Sequence, residues 1–195
     1  MSLRLIGGKF KNREIKTPVG ILTKPTMSLM RKAVFDICQG QIEGTHFLDI
    51  FACSGAMGLE ALSRGAATAT FIDKDRRAAS CIKHNAILLN VEHQVSILCY
   101  DAMTALDKVI KQKQKYSIVY IDPPYTHVEQ LGHKPIEFIH FFDQNDLIDQ
   151  DGILFLEEAH PSHIDIDNLS LEKIRHKNTR KFSNSLLHQF ICENP

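Results

Sequence analysis

Long apolar runs are missing from this chain: no stretch reaches the ~18 consecutive apolar residues that a membrane-spanning helix needs, and the amino terminus lacks the basic-then-apolar layout of a secretory signal. A cytoplasmic location is the expectation. Paired cysteines are missing too. The five present, Cys38, Cys53, Cys81, Cys99 and Cys192, are odd in number, scattered and never in CxxC spacing, which argues against a disulfide framework or a zinc ribbon. His160 and His163, next to Asp165, have the spacing of a metal pair, but Pro161 intervenes and no third ligand is signalled, so no metal is expected. Internal repeats and low-complexity linkers are absent. Net charge is absent as well, the 23 basic side chains being matched by 23 acidic ones, which would ordinarily argue against a nucleic-acid partner. The charge is unevenly spread, however, with +5 over residues 1–45, −8 over 46–170 and +3 over 171–195. This permits basic ends around an acidic centre, although basic runs are more often simply solvated faces.

What is present, in a chain of 195 residues, is one domain's worth of alternating pattern. From residue 46, "HFLDIF", "TATFID", "VSILCY", "YSIVYID" and "GILFLEE" have the length and the β-branched or aromatic content of strands. Between them "AMGLEALSRGA", "RRAASCIKHNAILLN", "AMTALDKVIKQKQ" and "KPIEFIHFFDQ" have helical length and periodicity. Such alternation predicts an α/β fold with a parallel, doubly wound sheet, its functional groups collected at the carboxyl ends of the strands. The last segment breaks the alternation: "LSLEKIRHK" and "SNSLLHQFICE", joined by "NTRKF", predict an antiparallel pair at the end of the sheet. Ahead of the core, "LRLIGGKFKNREIKTP" reads as a hairpin and "TMSLMRKAVFDICQG" as a helix with Met30, Val34 and Ile37 on one face, ended by Gly40 or Gly44.

The first strand runs into "LDIFACSGAMGLEAL", where Gly55 and Gly58 flank a tight turn into a helix and Cys53 stands where a GxGxxG loop would begin. That pattern alone is compatible with a nicotinamide site, a methyl-donor site or a plain strand-to-helix turn. Asp73 ends the second strand, 18 residues after Gly55, where a carboxylate can accept both ribose hydroxyls. Asp49 ends the first strand, a poor place for negative charge beneath a pyrophosphate but a good one beside the ammonium and sulfonium of S-adenosylmethionine; it can also cap the amides of the turn. Asp101, after the third strand, can accept from an adenine amino group and equally serve as a helix N-cap.

The fourth strand ends in "IDPPYT". Its two prolines stop the strand, and Asp122 with the Pro123 carbonyl supplies two acceptors for the two hydrogens of an exocyclic amine, orienting the nitrogen lone pair toward a sulfonium methyl. Pro124 stiffens the loop and Tyr125 offers a flat face to a base, which must leave its stack to enter.

"IDPPYT" is similar to the (D/N)PP(Y/F) motif of S-adenosylmethionine-dependent amino methyltransferases acting on nucleic acids. More narrowly, the chain resembles the RsmD-type bacterial 16S rRNA (guanine-N2)-methyltransferases over nearly its full length. "RLIGGKFKNREI" resembles their opening hairpin, "TKPTMSLMRKAVFD" their RPTxDRVRExLFN helix entry and "KFSNSLLHQF" their closing KYGDTxLxxY strand. The departures are Cys53 for the first loop glycine, Lys24 for the arginine of RPT, Ser28 and Leu29 for the Asp-Arg pair, and Ser183 for a glycine.

The resemblance implies a Rossmann-like class I methyltransferase fold, with a seven-stranded mostly parallel sheet, an antiparallel terminal strand, and a small N-terminal hairpin and helix. It divides the chain into an RNA-facing extension, residues 1–45, and a methyltransferase domain, residues 46–195. Implied catalytic residues are Asp122, Pro123, Pro124 and Tyr125; implied cofactor residues are Asp49, Ala52, Cys53, Gly55, Gly58, Asp73, Asp101 and Ala102. Arg4, Lys9, Lys11, Lys24, Thr26, Arg31 and Lys181 are placed by it around the active-site mouth, against RNA phosphates. The implied reaction is methylation of guanine N2 in small-subunit ribosomal RNA, by a monomer, on free RNA or within an assembling 30S subunit. Set against it are a DNA or other RNA amino methyltransferase, for which a target-recognition region is lacking, a nicotinamide-dependent oxidoreductase, which leaves Asp49 and the Asp-Pro-Pro-Tyr run unexplained, and a noncatalytic RNA-binding module.

Overall fold

In the computed structural model, residues 2–18, 26–124, 135–162 and 164–193 are described, the side chains of Thr26 and Met27 excepted. A two-stranded hairpin, β1 (Ser2–Arg4) and β2 (Glu14–Lys16), leads to helix α1 (Thr26–Ile37). The core alternates β3 (His46–Ile50), α2 (Ala56–Ser63), β4 (Thr68–Ile72), α3 (Arg76–Leu89), β5 (Val95–Leu98), α4 (Ala102–Gln112), β6 (Tyr116–Ile121), α5 (Pro135–Gln144) and β7 (Ile148–Ala159). It closes with β8 (Ile174–Phe182) and β9 (Ser185–Cys192). The seven strands lie in the order β5-β4-β3-β6-β7-β9-β8. The first five are parallel, and β9 runs antiparallel between β7 and β8.

Because side chains alternate across a strand, the apolar strands feed two cores. One face packs Phe47, Phe71, Ile118 and Phe155 against α2, α3, the hairpin and α1. The other packs Leu48, Ile72, Val119 and Leu156 against α4 and α5. Leu5, Ile15, Met30, Val34 and Phe35 belong to the first core, so the hairpin and α1 share their apolar interior with the main sheet.

Several boundaries differ from the sequence reading. β3 and β4 stop one residue short of the predicted ends, at Ile50 and Ile72, and α1 ends at Ile37, ahead of Gly40. "NTRKF" is not a connection: it is the second half of β8, which turns at Ser183–Asn184 into β9. Its side chains are almost all exposed because β8 is the edge of the sheet, where charged residues discourage further pairing. β7 starts at Ile148 rather than Gly152, with a pairing irregularity opposite Tyr116 and Ile118.

Candidate active site

The carboxyl ends of β3, β4, β5 and β6 bring Asp49, Asp73, Asp101 and Asp122 to one end of the sheet. In the strand register Asp49 stands directly beside Tyr120 of β6, so both face α2. A pocket lined by Arg31, Asp49, Phe51, Cys53, Tyr120 and Asp122, among others, opens there. Its free volume is about 30 Å³, close to one water's share of the liquid. It admits an ammonium or a methyl group, and a group as large as a nucleoside would have to lie outside it.

The loop from β3 to α2 is built on left-handed backbone at Phe51 (φ 64°), Cys53 (φ 51°) and Gly55 (φ 75°). Only glycine takes that conformation freely, so Phe51 and Cys53 each carry strain of about 1 kcal/mol, of the kind that collects at functional sites. Gly58 is required for a different reason: a Cβ there would come within 2.3 Å of the Phe71 ring, so its absence lets α2 lie close on β4.

Each acid on this side also holds the loops. Asp49, 2% exposed, accepts from the Gly58 N–H at 3.0 Å. Burial pushes its carboxyl up to about 8, opposed by the Gly58 hydrogen bond and aided by the nearby Asp73. Asp73 accepts from the Cys53 N–H at 2.8 Å on one oxygen and the Asp75 N–H at 2.9 Å on the other; desolvation nonetheless raises its pKa. Asp101 caps α4 by accepting from the Met103 N–H at 3.2 Å, next to the buried Ala102. Ala52 lines the pocket and donates its N–H to the Ile72 carbonyl at 3.1 Å. The Cys53 thiol lies at the pocket wall, its pKa raised to about 12 chiefly by burial, so it is a neutral filler there.

Asp122 follows the last residue of β6, its N–H donating to the Ile50 carbonyl at 3.3 Å. Pro123 is buried and Pro124 exposed. Lys24, Tyr125 and His163 lie outside the described residues, as does the side chain of Thr26, which opens α1.

The cations predicted to ring the mouth are dispersed. The hairpin tip is fastened to the end of α2: Lys9 N–H donates to the Ser63 carbonyl at 2.7 Å and Phe10 N–H to Ser63 Oγ at 2.9 Å. Since α2 leaves the site at Ala56 and runs back along the sheet, Lys9 and Lys11 sit at the opposite end, ~12 Å away along the helix axis. This corrects their placement at the mouth. Arg31 is corrected as well. It is only 3% exposed; it donates to the Arg4 carbonyl at 2.7 Å and pairs with buried Glu60 at 3.8 Å, so it lines the pocket from within rather than offering a surface charge. Desolvation lowers its pKa, partly offset by Glu60. Arg4 is exposed and paired with Glu14 at 3.0 Å. Lys181, exposed near the carboxyl end of β8, does lie on the site's side of the sheet, its Nζ 2.8 Å from His160 Nε2.

Three groups of the site carried no signal in the sequence reading. Tyr120 lines the pocket and donates its hydroxyl to buried Glu157 at 2.7 Å; the period-2 spacing that puts it on the face of Ile118 could have flagged it. Glu60 accepts from the Ile6 N–H at 2.8 Å and from Arg64 at 2.9 Å, fastening hairpin and pocket floor together. Asn85, fully buried, accepts from the Lys16 N–H at 2.8 Å and donates to the Lys16 and Ser54 carbonyls at 2.9 and 3.0 Å.

A five-strand parallel sheet extended by an antiparallel hairpin, with acids at successive strand ends around a glycine-bearing loop, is the architecture of the Rossmann-like methyltransferases. The chain belongs to the family described as "Conserved hypothetical protein 95", whose pattern matches residues 3–187. It is 30% identical over 155 residues, 80% of this chain and 82% of the relative, to "Putative rRNA methyltransferase YlbH" of Bacillus subtilis (strain 168). To "Ribosomal RNA small subunit methyltransferase D" of Escherichia coli (strain K12) it is 34% identical over 123 residues, 63% of this chain and 60% of the relative. Among solved structures, "Putative methyltransferase yhhF from Escherichia coli" superposes with a TM-score of 0.81 over 100% of both chains at 24% identity. That likeness speaks for the fold.

Proposed function

We propose that the chain transfers a methyl group from S-adenosylmethionine to the exocyclic N2 of a guanine in small-subunit ribosomal RNA. The observation that carries this reading is that Asp49 and Asp122, at the ends of neighbouring strands, line one narrow pocket with the buried guanidinium of Arg31. An acid and a base facing the same cavity suit the zwitterionic amino-acid end of the cofactor. The Arg31 Nε makes no hydrogen bond among the described residues, the Glu60 carboxylate standing 3.8 Å from it. Asp49 then receives the ammonium, Asp73 the ribose hydroxyls and Asp101 the adenine amino group, with Ala52, Cys53, Gly55, Gly58 and Ala102 shaping the walls.

The cofactor supplies an electrophilic methyl; everything else falls to the protein. The guanine amine is a weak nucleophile because its lone pair is delocalised into the ring. Asp122 and the Pro123 carbonyl accept its two hydrogens, which turns the lone pair toward the pocket and localises it. As the N–C bond forms the methyl–sulfur bond would break, its electron pair going to sulfur to leave a neutral thioether, and Asp122 would take the proton released from nitrogen. Pro123 and Pro124 hold these acceptors at the strand end, and Tyr125 stacks on the base once it is flipped out. Positioning and preorganised charge supply the acceleration, with no covalent enzyme intermediate. Residues 1–45 and Lys181 contribute to docking the RNA, and the reaction belongs in the cytoplasm, where ribosomes assemble.

The relatives' names support ribosomal RNA as substrate. The decisive experiment is incubation of small subunits from a strain lacking the enzyme with the protein and labelled S-adenosylmethionine, followed by nucleoside mass analysis. N2-methylguanosine is expected; a methylated adenine or cytosine, or no product on either free RNA or subunits, would sink the reading.

A further inference from the structure

One cationic surface lies apart from the side chains named above as RNA contacts. Residues 76–91 contain Arg76, Arg77, Lys83 and His84 and not one acid. Arg76 and Arg77 open α3, where positive charge is unfavourable toward the helix dipole, so helix stability does not account for them. The end of β2 lies against this stretch: Lys16, Thr17, Arg76, Arg77, Ser80 and His84 line a cleft of about 500 Å³. Its floor is apolar, with Pro18 buried, while Lys16, Arg76, Arg77, Ser80 and His84 are exposed. The α3 cap Asp75 holds Arg77 through both carboxylate oxygens, at 2.6 Å for the shortest contact, which leaves Lys16 and Arg76 as the cations whose charge Asp75 does not pair.

The cleft is tied to the chemistry. Asn85 grips the backbone of Lys16 on one side and the Ser54 carbonyl of the pocket loop on the other, and Asp75 lies two residues beyond Asp73. We infer that the Lys16–Arg76–His84 cleft is a second anchoring site for the RNA substrate, taking the phosphodiester backbone of the strand that flanks the flipped base. The inference rests on the proposed function above. Its chemistry is phosphate recognition by the Arg76 guanidinium and the Lys16 ammonium with a hydroxyl from Ser80, which gives position and salt dependence rather than sequence choice.

The test is fluorescence anisotropy with a labelled fragment of small-subunit rRNA, over a series of salt concentrations, for wild type, K16E/R76E and the neutral pair K16Q/R76Q. Lys16 makes its structural bonds through its backbone, and Arg76 is exposed, so both variants should melt like wild type and bind S-adenosylmethionine unchanged. The expected result is about tenfold weaker RNA binding at low salt for the charge reversal, with the log–log salt slope smaller by about 2, and an intermediate loss for the neutral pair. Wild-type affinity and slope in K16E/R76E would overturn the inference. So would an equal loss on reversing Lys111, which lies on α4 across the sheet. Normal binding of free RNA combined with failure to methylate assembled subunits would assign the cleft to a ribosomal protein instead, and equally overturn it. Anisotropy needs no turnover, so failure of the wild type to methylate RNA would count against the proposed function and be told apart from failure of the cleft.

Discussion

The proposed methyl-donor side and the proposed methyl-acceptor side of the site are built differently. On the donor side, Asp49 and Asp101 hold amides in the first turns of α2 and α4 and Asp73 holds the Cys53 amide of the β3–α2 loop, so every acid that would meet the cofactor is also a structural part. On the acceptor side, Asp122 sits between the end of β6, where its N–H donates to the Ile50 carbonyl, and two prolines whose rigidity comes from covalent geometry. Substitution of a donor-side acid should therefore change folding along with chemistry, while the acceptor loop keeps its covalent rigidity.

The sharpest way to break this contrast is Asp122→Ala. Methyl transfer should fall by at least about 10²–10³ in kcat while the cofactor Kd, read by calorimetry, stays within a few-fold; substantial turnover would remove Asp122 from its role. Next, Asp73→Ala should weaken cofactor binding about 10–100-fold, the worth of one or two charged hydrogen bonds, and lower the melting temperature, because the Cys53 and Asp75 amides lose their acceptor. An unchanged Kd would end the ribose assignment, and an unchanged melting temperature would end the dual role.

The pH response of Asp49 comes third. Its carboxyl is raised to about 8, so as pH climbs from about 4 to 8 the unfolded chain gives up a proton that the native one keeps, and the unliganded protein loses stability across that window. A cation bound beside Asp49 favours the ionised form. Cofactor affinity should therefore rise with pH, by at most about tenfold per unit, and level off above 8, with proton release visible as buffer-dependent calorimetric heats near pH 7. Asp49→Asn should flatten both profiles; a slope that persists would locate the titration elsewhere. The smallest effect belongs to Cys53→Gly, where relief of left-handed strain and the added freedom of the unfolded chain nearly offset each other. Stability should shift by less than about 1 kcal/mol in chemical denaturation, and a larger loss would mean that the buried thiol matters more to packing than to the pocket wall.

Asp73, Asp101 and Asp122 were legible in the sequence because each directly follows an apolar run, which marks a strand's carboxyl end without any tertiary information, and Asp49 because it interrupts such a run one residue before β3 ends. The fold followed from the same alternation. Arg31 and the hairpin lysines were misplaced for a common physical reason: a basic residue near a terminus says nothing about the direction in which its segment docks. The hairpin's orientation is set by Glu60 and Ser63 on α2, contacts made across more than 50 residues. Asn85 was silent because a lone Asn on a polar helix has no periodicity to betray its burial. "NTRKF" misled because an exposed edge strand looks like a loop when composition alone is read.

The Asn85 bridge has a consequence for cooperativity. One side-chain amide joins the end of β2 to the loop after β3, so loss of the hairpin leaves the Asn85 amide without its Lys16 partners while the Ser54 contact remains. Order in the hairpin and order in that loop are then expected to rise together when a ligand binds. In hydrogen exchange, the Lys16 amide, whose N–H is held by Asn85, should become slower to exchange when the cofactor is added, although it belongs to a separate sheet.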